Sequence, residues 1–165
     1  MSIVCVYNNK TILEEYLLKS LKKQTSKYEL ILVDNRKNKY SSAANALNHG
    51  ARKAHGNYIV FTHQDIYFSQ NSWLDRTEKC LSTLNNIGIV GVAGKTTDSL
   101  VRSNIKQGII PVDVTPYKLE KVELASTLDE CLFIIPRNVF KKYELNEIFF
   151  CGLIAGESGW NIASN

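Results

Sequence analysis

Three short polar stretches carry the residue types that could do chemistry: Tyr7-Asn8-Asn9, Asp34-Asn35-Arg36 and His63-Gln64-Asp65. Each follows directly on an apolar run: "SIVCV", "YELILV" and "NYIVFT". Carboxylates are hard oxygen ligands for magnesium or manganese, and one or two suffice when a substrate phosphate completes the shell. An imidazole favours softer metals, and manganese tolerates a carboxylate–imidazole mixture better than magnesium does. The strand ending in His63-Gln64-Asp65 could deliver one metal-holding carboxylate, Asp65, to the rim of a site, with His63 where a second acid is usual. Each residue also has a plainer reading. Asp34 can cap a turn, a position where Asp and Asn are favoured. His63 can be a satisfied strand-end histidine, and Tyr7 a rim aromatic. Strand alternation is expected to turn Gln64 away from its two neighbours.

Positioning these stretches requires strands that end side by side. "SIVCVY" reads as a strand buried on both faces, as parallel strands are. "NNKTILEEYLLKSLKKQ" follows with Leu13, Tyr16, Leu17 and Leu21 at helical spacing, and Glu15 placed to pair with Lys19. "YELILVDN" is a second strand. "SSAANALNHGARKAHG" is a helix with Ser at its start and Gly56 at its stop. "NYIVFTHQD" is a third strand, "SWLDRTEKCLSTLNN" a third amphipathic helix and "IGIVGVAG" a fourth strand. Strand–helix–strand alternation of this kind is the doubly wound α/β signature, and its ligands bind beyond the carboxyl ends of the strands. The three polar exits can then converge on one crevice. Further on, "GIIPVDVTPYKLEKVEL" reads as short antiparallel strands, with Pro111 and Pro116 confining them to edges. "DECLFIIPRNVFKKYEL" reads as a strand, a turn at Pro136 and a short helix.

Composition narrows the function class. The 165 residues with 44% hydrophobic content argue for one domain, residues 1–165, with its own core. A net charge of +4 suits an anionic small ligand and falls short of a nucleic-acid footprint. Cys5, Cys80, Cys131 and Cys151 lie far apart, which leaves zinc ribbons and redox pairs unsupported. "MSIVCVYNN" lacks the pattern of a signal peptide, and no apolar run approaches the ~18 residues of a membrane helix. The expected location is cytoplasmic, with peripheral contact to a membrane left open. A phosphate-binding glycine loop is missing after the first strand, which argues against dinucleotide oxidoreductases and P-loop enzymes. "GESGW" only superficially resembles a hydrolase nucleophile elbow.

Taken together, "SIVCVYNN", "ELILVDNR", "AANALNHGARKAHGNYIVFTHQD" and "IGIVGVAG" resemble the GT-A fold of family 2 glycosyltransferases. The Asn-Arg after Asp34, the Ala-Leu-Asn and the His-Gln-Asp are similar to the StrF-like branch of that group. The resemblance covers about residues 2 to 95, and "DECLFIIPRNVF" more loosely. It implies a Rossmann-like nucleotide-diphospho-sugar transferase fold, with a mostly parallel central sheet and helices on both faces. Residues 1–95 would be the nucleotide-sugar half and residues 96–165 a partial acceptor half. By the same resemblance Tyr7 would face the base and Asp34 bond it. Asn8, Asn35 and Ser42 would lie along the nucleotide, and Asn48 and Gly50 match the family's helix Asn and Gly. Leu47 stands where that helix usually has Arg. His63 and Asp65 match the two acids of Asp-x-Asp, which in the family position a divalent cation, Mn2+ or Mg2+, on the donor diphosphate.

An inverting transfer also needs a base for the acceptor hydroxyl. The family's acidic step reads Leu145-Asn146-Glu147 here, and Asp129 and Glu157 are the remaining candidates. The expected partners are a nucleotide-sugar donor, a glycan, lipid-linked or small-molecule acceptor, and a second copy in a homo-oligomer. The alternative is a non-catalytic or truncated nucleotide-sugar-binding protein without a complete acceptor site.

Overall fold

Alternation in the first strand decides the layering. β1 (Ser2–Tyr7) buries Ile3 and Cys5 in one core cluster and Val4 in another. In a computed structural model, which describes residues 1–147 and 160–162, this strand lies second from one edge of the chain's main sheet. β1 pairs in parallel with β2 (Glu29–Asp34), from Ser2 opposite Glu29 to Tyr7 opposite Asp34. It also pairs in parallel with β3 (Tyr58–Thr62), with Ser2 opposite Ile59. The three carboxyl ends therefore lie side by side, as the three polar exits require.

One core cluster seats the first and third helices on one face of the sheet. α1 opens as an α-helix at Lys10–Leu13, widens to a π-helix over Glu14–Leu18 and closes as an α-helix over Lys19–Leu21. Leu13, Leu17 and Leu21 pack there with Leu74 and Leu81 of α3 (Trp73–Ser82). The opposite face holds α2 (Ala43–Ala51) through Ala44 and Ala51, beside Ile59 and Phe61. Small residues let α2 approach closely. A Cβ at Gly50 would stand 2.6 Å from Val4 Cγ1 and 2.9 Å from Val33 Cγ2. The wide turn in α1 also moves its surface charges out of the expected phase. Lys10 pairs with Glu14 at 3.6 Å, and Glu15 does not pair with Lys19.

Beyond β3 the sheet changes direction. "IGIVGVAG" splits into β4 (Val90–Gly91) and β5 (Ala93–Thr96), not the single strand its apolar content suggests. β6 (Val101–Ser103) pairs with β5, and β7 (Lys106–Gln107) with β8 (Val112–Asp113) forms a separate hairpin. Gly108 turns that hairpin with a φ of +98°, which favours glycine. β9 (Glu123–Leu128) runs antiparallel to β5. β10 (Leu132–Pro136) returns antiparallel between β3 and β4, and α4 (Arg137–Lys142) follows. β11 (Trp160–Ile162) lies between β4 and β9, completing the order β2-β1-β3-β10-β4-β11-β9-β5-β6. The α/β class with helices on both faces of a parallel core is as expected, extended by antiparallel strands. No helix among the described residues is long and apolar enough to cross a membrane.

Candidate functional site

The three strand exits meet in one cleft of about 220 Å3, lined by Val6, Tyr7, Asn8, Asn35, His63, Gln64 and Asp65. Two contacts hold its walls together. The Asn35 N–H donates to the Tyr7 carbonyl at 2.8 Å, carrying the β1–β2 pairing one residue past the strand ends. Gln64 Oε1 accepts from the N–H groups of Asn8 at 3.1 Å and Asn9 at 2.9 Å. Its amide nitrogen donates to Asn8 Oδ1 at 2.7 Å. Gln64 thus faces the cleft, against the expectation from alternation. The reason is local: β3 ends at Thr62, and residues 64–65 already belong to a turn. Asn9 in turn caps α1, its Oδ1 accepting from the Ile12 N–H at 3.1 Å. The first exit is therefore built as a helix start, not a free loop.

His63 and Asp65 are both exposed at the mouth of this cleft. The His63 N–H donates to the Cys131 carbonyl at 2.9 Å, which anchors the third exit to the turn before β10. The carboxylate of Asp65 takes no hydrogen bond or ion pair from a described residue. Its charge is nevertheless felt below the cleft. Burial first, and then the nearby Asp65 charge, push the Cys5 thiol up to about 12. Burial and the Asp129 carboxylate push Cys131 up as well. Both shifts work against thiolate formation, the form in which a cysteine is a nucleophile.

Asp34 sits just outside the lining, opposite Tyr7 in the β1–β2 register. Its carboxylate is fully engaged. Arg36 Nε donates to both oxygens at 3.0 Å, Arg36 Nη2 donates to Oδ2 at 2.5 Å and the Arg36 N–H donates to Oδ1 at 3.0 Å. That guanidinium, above all, holds Asp34 well below the usual carboxylate range. Burial first, and then the Asp34 carboxylate nearby, raise the Tyr7 phenol.

Two residues matched to the donor site hold the scaffold and do not line the cleft. Ser42 caps α2, accepting from the Asn45 N–H at 3.1 Å. Asn48 is buried, donating to the Leu145 carbonyl at 2.8 Å and accepting from the Leu145 N–H at 3.0 Å. It also donates to Glu147 at 3.1 Å, and the Asn48 and Asn45 amides depress that carboxyl. Their side-chain oxygens and amides are spent within the protein, which is why they turn from the crevice. Asp129 stands in the turn between β9 and β10, where Oδ1 accepts from the Cys131 N–H at 2.8 Å. Glu157 lies outside the described residues. Arg36 and Gln64, which lie in the polar stretches but were not expected to take part in the site, are neighbours that shape it. Arg36 had a signal, since an acid followed two residues later by a base suits an Asx turn closed by an ion pair. Gln64 had none.

No curated protein sequence is similar enough to match the chain. Residues 1–107 match the glycosyltransferase-like family. The chain belongs to that family. Among solved structures it is similar to S. aureus TarS 1–349 in complex with UDP-GlcNAc, with a TM-score of 0.61 and 16% identity over 99% of this chain. It is also similar to the mannosyltransferase PcManGT from Pyrobaculum calidifontis, in complex with GDP-Man and Mn2+, at a TM-score of 0.57 and 16% identity over 86% of this chain. A197 from STIV superposes with a TM-score of 0.56 and 9% identity over 99% of this chain and 81% of its own. These likenesses establish a GT-A fold. The chain spans 55% of that TarS chain and 46% of the mannosyltransferase.

As a donor set for a cation, Asp65 and His63 fit. The Asp65 carboxylate, a hard ligand without a hydrogen-bond or ion-pair partner among the described residues, lines the same cleft as the His63 imidazole. No group of three or more His, Cys, Asp and Glu gathers among the described residues, so any remaining ligands would be substrate or water.

Proposed function

We propose that the cleft takes the nucleoside diphosphate of a sugar donor and that the chain serves transfer of that sugar to an acceptor hydroxyl with inversion. The observation that carries this reading is the convergence of three strand exits on one cleft whose mouth holds Asp65, a carboxylate with no partner among the described residues. The Tyr7 ring offers a face for the base. The Asn8 and Asn35 side-chain amides offer N–H donors along the ribose and phosphates, their oxygens accepting from Gln64 and Tyr40. Asp65, with His63, would hold a divalent cation, which when bound neutralises charge developing on the diphosphate leaving group. Leu47 leaves helix α2 without a cation at its matched position, so the burden of neutralisation falls on the Asp65 end. Gln64 keeps the first and third exits at a fixed separation, and preorganisation of that kind is what orients a donor. The donors bound in the similar structures, UDP-GlcNAc and GDP-Man, support uridine and guanosine diphosphates as the ligands to try first.

A second reading is nucleotide-sugar binding without transfer by this chain. It is favoured by Asp129, whose carboxylate closes its own turn outside the cleft lining. Acceptors, whether glycan, lipid-linked or small molecule, belong to either reading only through the family.

Calorimetric titration of UDP and GDP, with and without Mn2+, tests the proposal. Wild type should bind one of them more tightly with Mn2+, and Asp65→Ala should lose roughly tenfold or more of that gain. Binding of neither nucleotide under either condition would sink it. Sugar transfer from the matching donor selects the first reading, and binding without transfer or hydrolysis the second.

A further inference from the structure

Arg36 occupies both features that a base would use. Its guanidinium carbon stands 5.8 Å from the centroid of the Tyr7 ring. Its Nε and Nη2 engage both oxygens of Asp34, at 3.0, 3.0 and 2.5 Å, while its own N–H takes Oδ1 at 3.0 Å. Tyr7 stands opposite Asp34 in the β1–β2 register. A carboxylate offers about four acceptor sites in all, so those of Asp34 are spent inside the protein. The pair is nonetheless at the surface, with the side chains of Arg36 and Asp34 49% and 43% exposed. Exposed ion pairs are weak and are screened by salt.

We infer that Arg36 is a built-in competitor of the nucleobase, holding Tyr7 and Asp34 until a base with a ring N–H takes over the carboxylate. This rests on the donor-site reading above and adds a residue to it. Uracil and guanine each present such an N–H beside a carbonyl. The base N–H replaces Arg36 as donor to Asp34, and the ring replaces the guanidinium over Tyr7. The freed guanidinium remains at the rim as a donor for a carbonyl or for phosphate. The exchange costs the protein one surface ion pair, which sets a small penalty on every base and a larger net loss for one that cannot donate to Asp34.

Neutral nucleosides isolate this effect, because they carry no charge for Arg36 to attract. Ligand-observed NMR titration of uridine and guanosine should show Arg36→Ala binding one of them roughly three- to fivefold more tightly than wild type. Raising the salt concentration should tighten nucleoside binding by wild type, as the pair is screened, and leave the variant unchanged. Equal or weaker nucleoside binding by Arg36→Ala, including no detectable binding by either protein, overturns the inference. So does salt-independence of the wild type. If UDP or GDP still binds wild type in that case, only the role of Arg36 is lost. If neither diphosphate binds, the donor site itself is wrong.

Discussion

Asn48 illustrates how a single buried amide can serve a site without touching it. Its side chain both donates to and accepts from the backbone of Leu145 and donates to Glu147, so helix α2 and the segment after α4 are tied at one point. Truncation would strand a buried peptide N–H and carbonyl, at a cost of about 1–3 kcal/mol. Asn48→Ala should therefore lower unfolding free energy by about 2 kcal/mol in urea titration, while nucleotide affinity per folded molecule changes little. At this scale the sequence was informative where function depends on residue type and order. Tyr7, Asn8, Asn35, His63 and Asp65 could be placed on one cleft because each follows a strand. It was uninformative about where an amide spends its hydrogen bonds. The bonds of Asn48 to Leu145 and of Gln64 to Asn8 could not be foreseen because each partner is distant in the chain.

Elements depend on fit as much as on propensity. Gly50 lies inside α2, where alanine would ordinarily be the better helix former by about 1 kcal/mol. Here the added methyl would press on Val4 and Val33, both stiff β-branched side chains beneath the helix. Overpacking of this sort costs about 1–3 kcal/mol and outweighs the propensity gain. Gly50→Ala should lower the thermal midpoint by several degrees, readable by circular dichroism, and a raised midpoint would contradict the packing described. Helices and parallel strands were legible because their apolar periods are local. The π-turn of α1 and the break at Val92 between β4 and β5 were not. Both arise from pairing and packing with distant strands, which leave no period in the sequence.

Across the whole molecule, the side of the sheet opposite the cleft is tied by one carboxylate. Glu29 Oε2 accepts from Ser2 Oγ at 2.6 Å and from the His55 N–H at 2.8 Å, linking β1, β2 and the connection before β3. The Ser2 bond first, then His55, lower its carboxyl to about 2, from an ordinary value of 4.5. A depressed folded-state pKa stabilises the protein above the unfolded value and ceases to as pH falls through the folded one. The stability margin of wild type over Glu29→Gln should thus shrink as the pH falls from 4.5 to about 2. Denaturant melts across that range measure it. A margin that grows on acidification would contradict the arrangement. The sheet order was the least legible feature of all. That β10 inserts antiparallel between β3 and β4 depends on contacts spanning dozens of residues, and β9 to β10 read locally as any short hairpin. Yet this insertion supplies the Cys131 carbonyl that anchors His63 at the cleft mouth.

The central claim is that the three strand exits form one donor site. A crystal structure of the chain with UDP or GDP and Mn2+ tests it most directly. The account predicts the cation on Asp65, the base against Tyr7 and Asp34 bonded to the base with Arg36 turned away. A nucleotide seated elsewhere, or a cation with no ligand from Asp65, would contradict it.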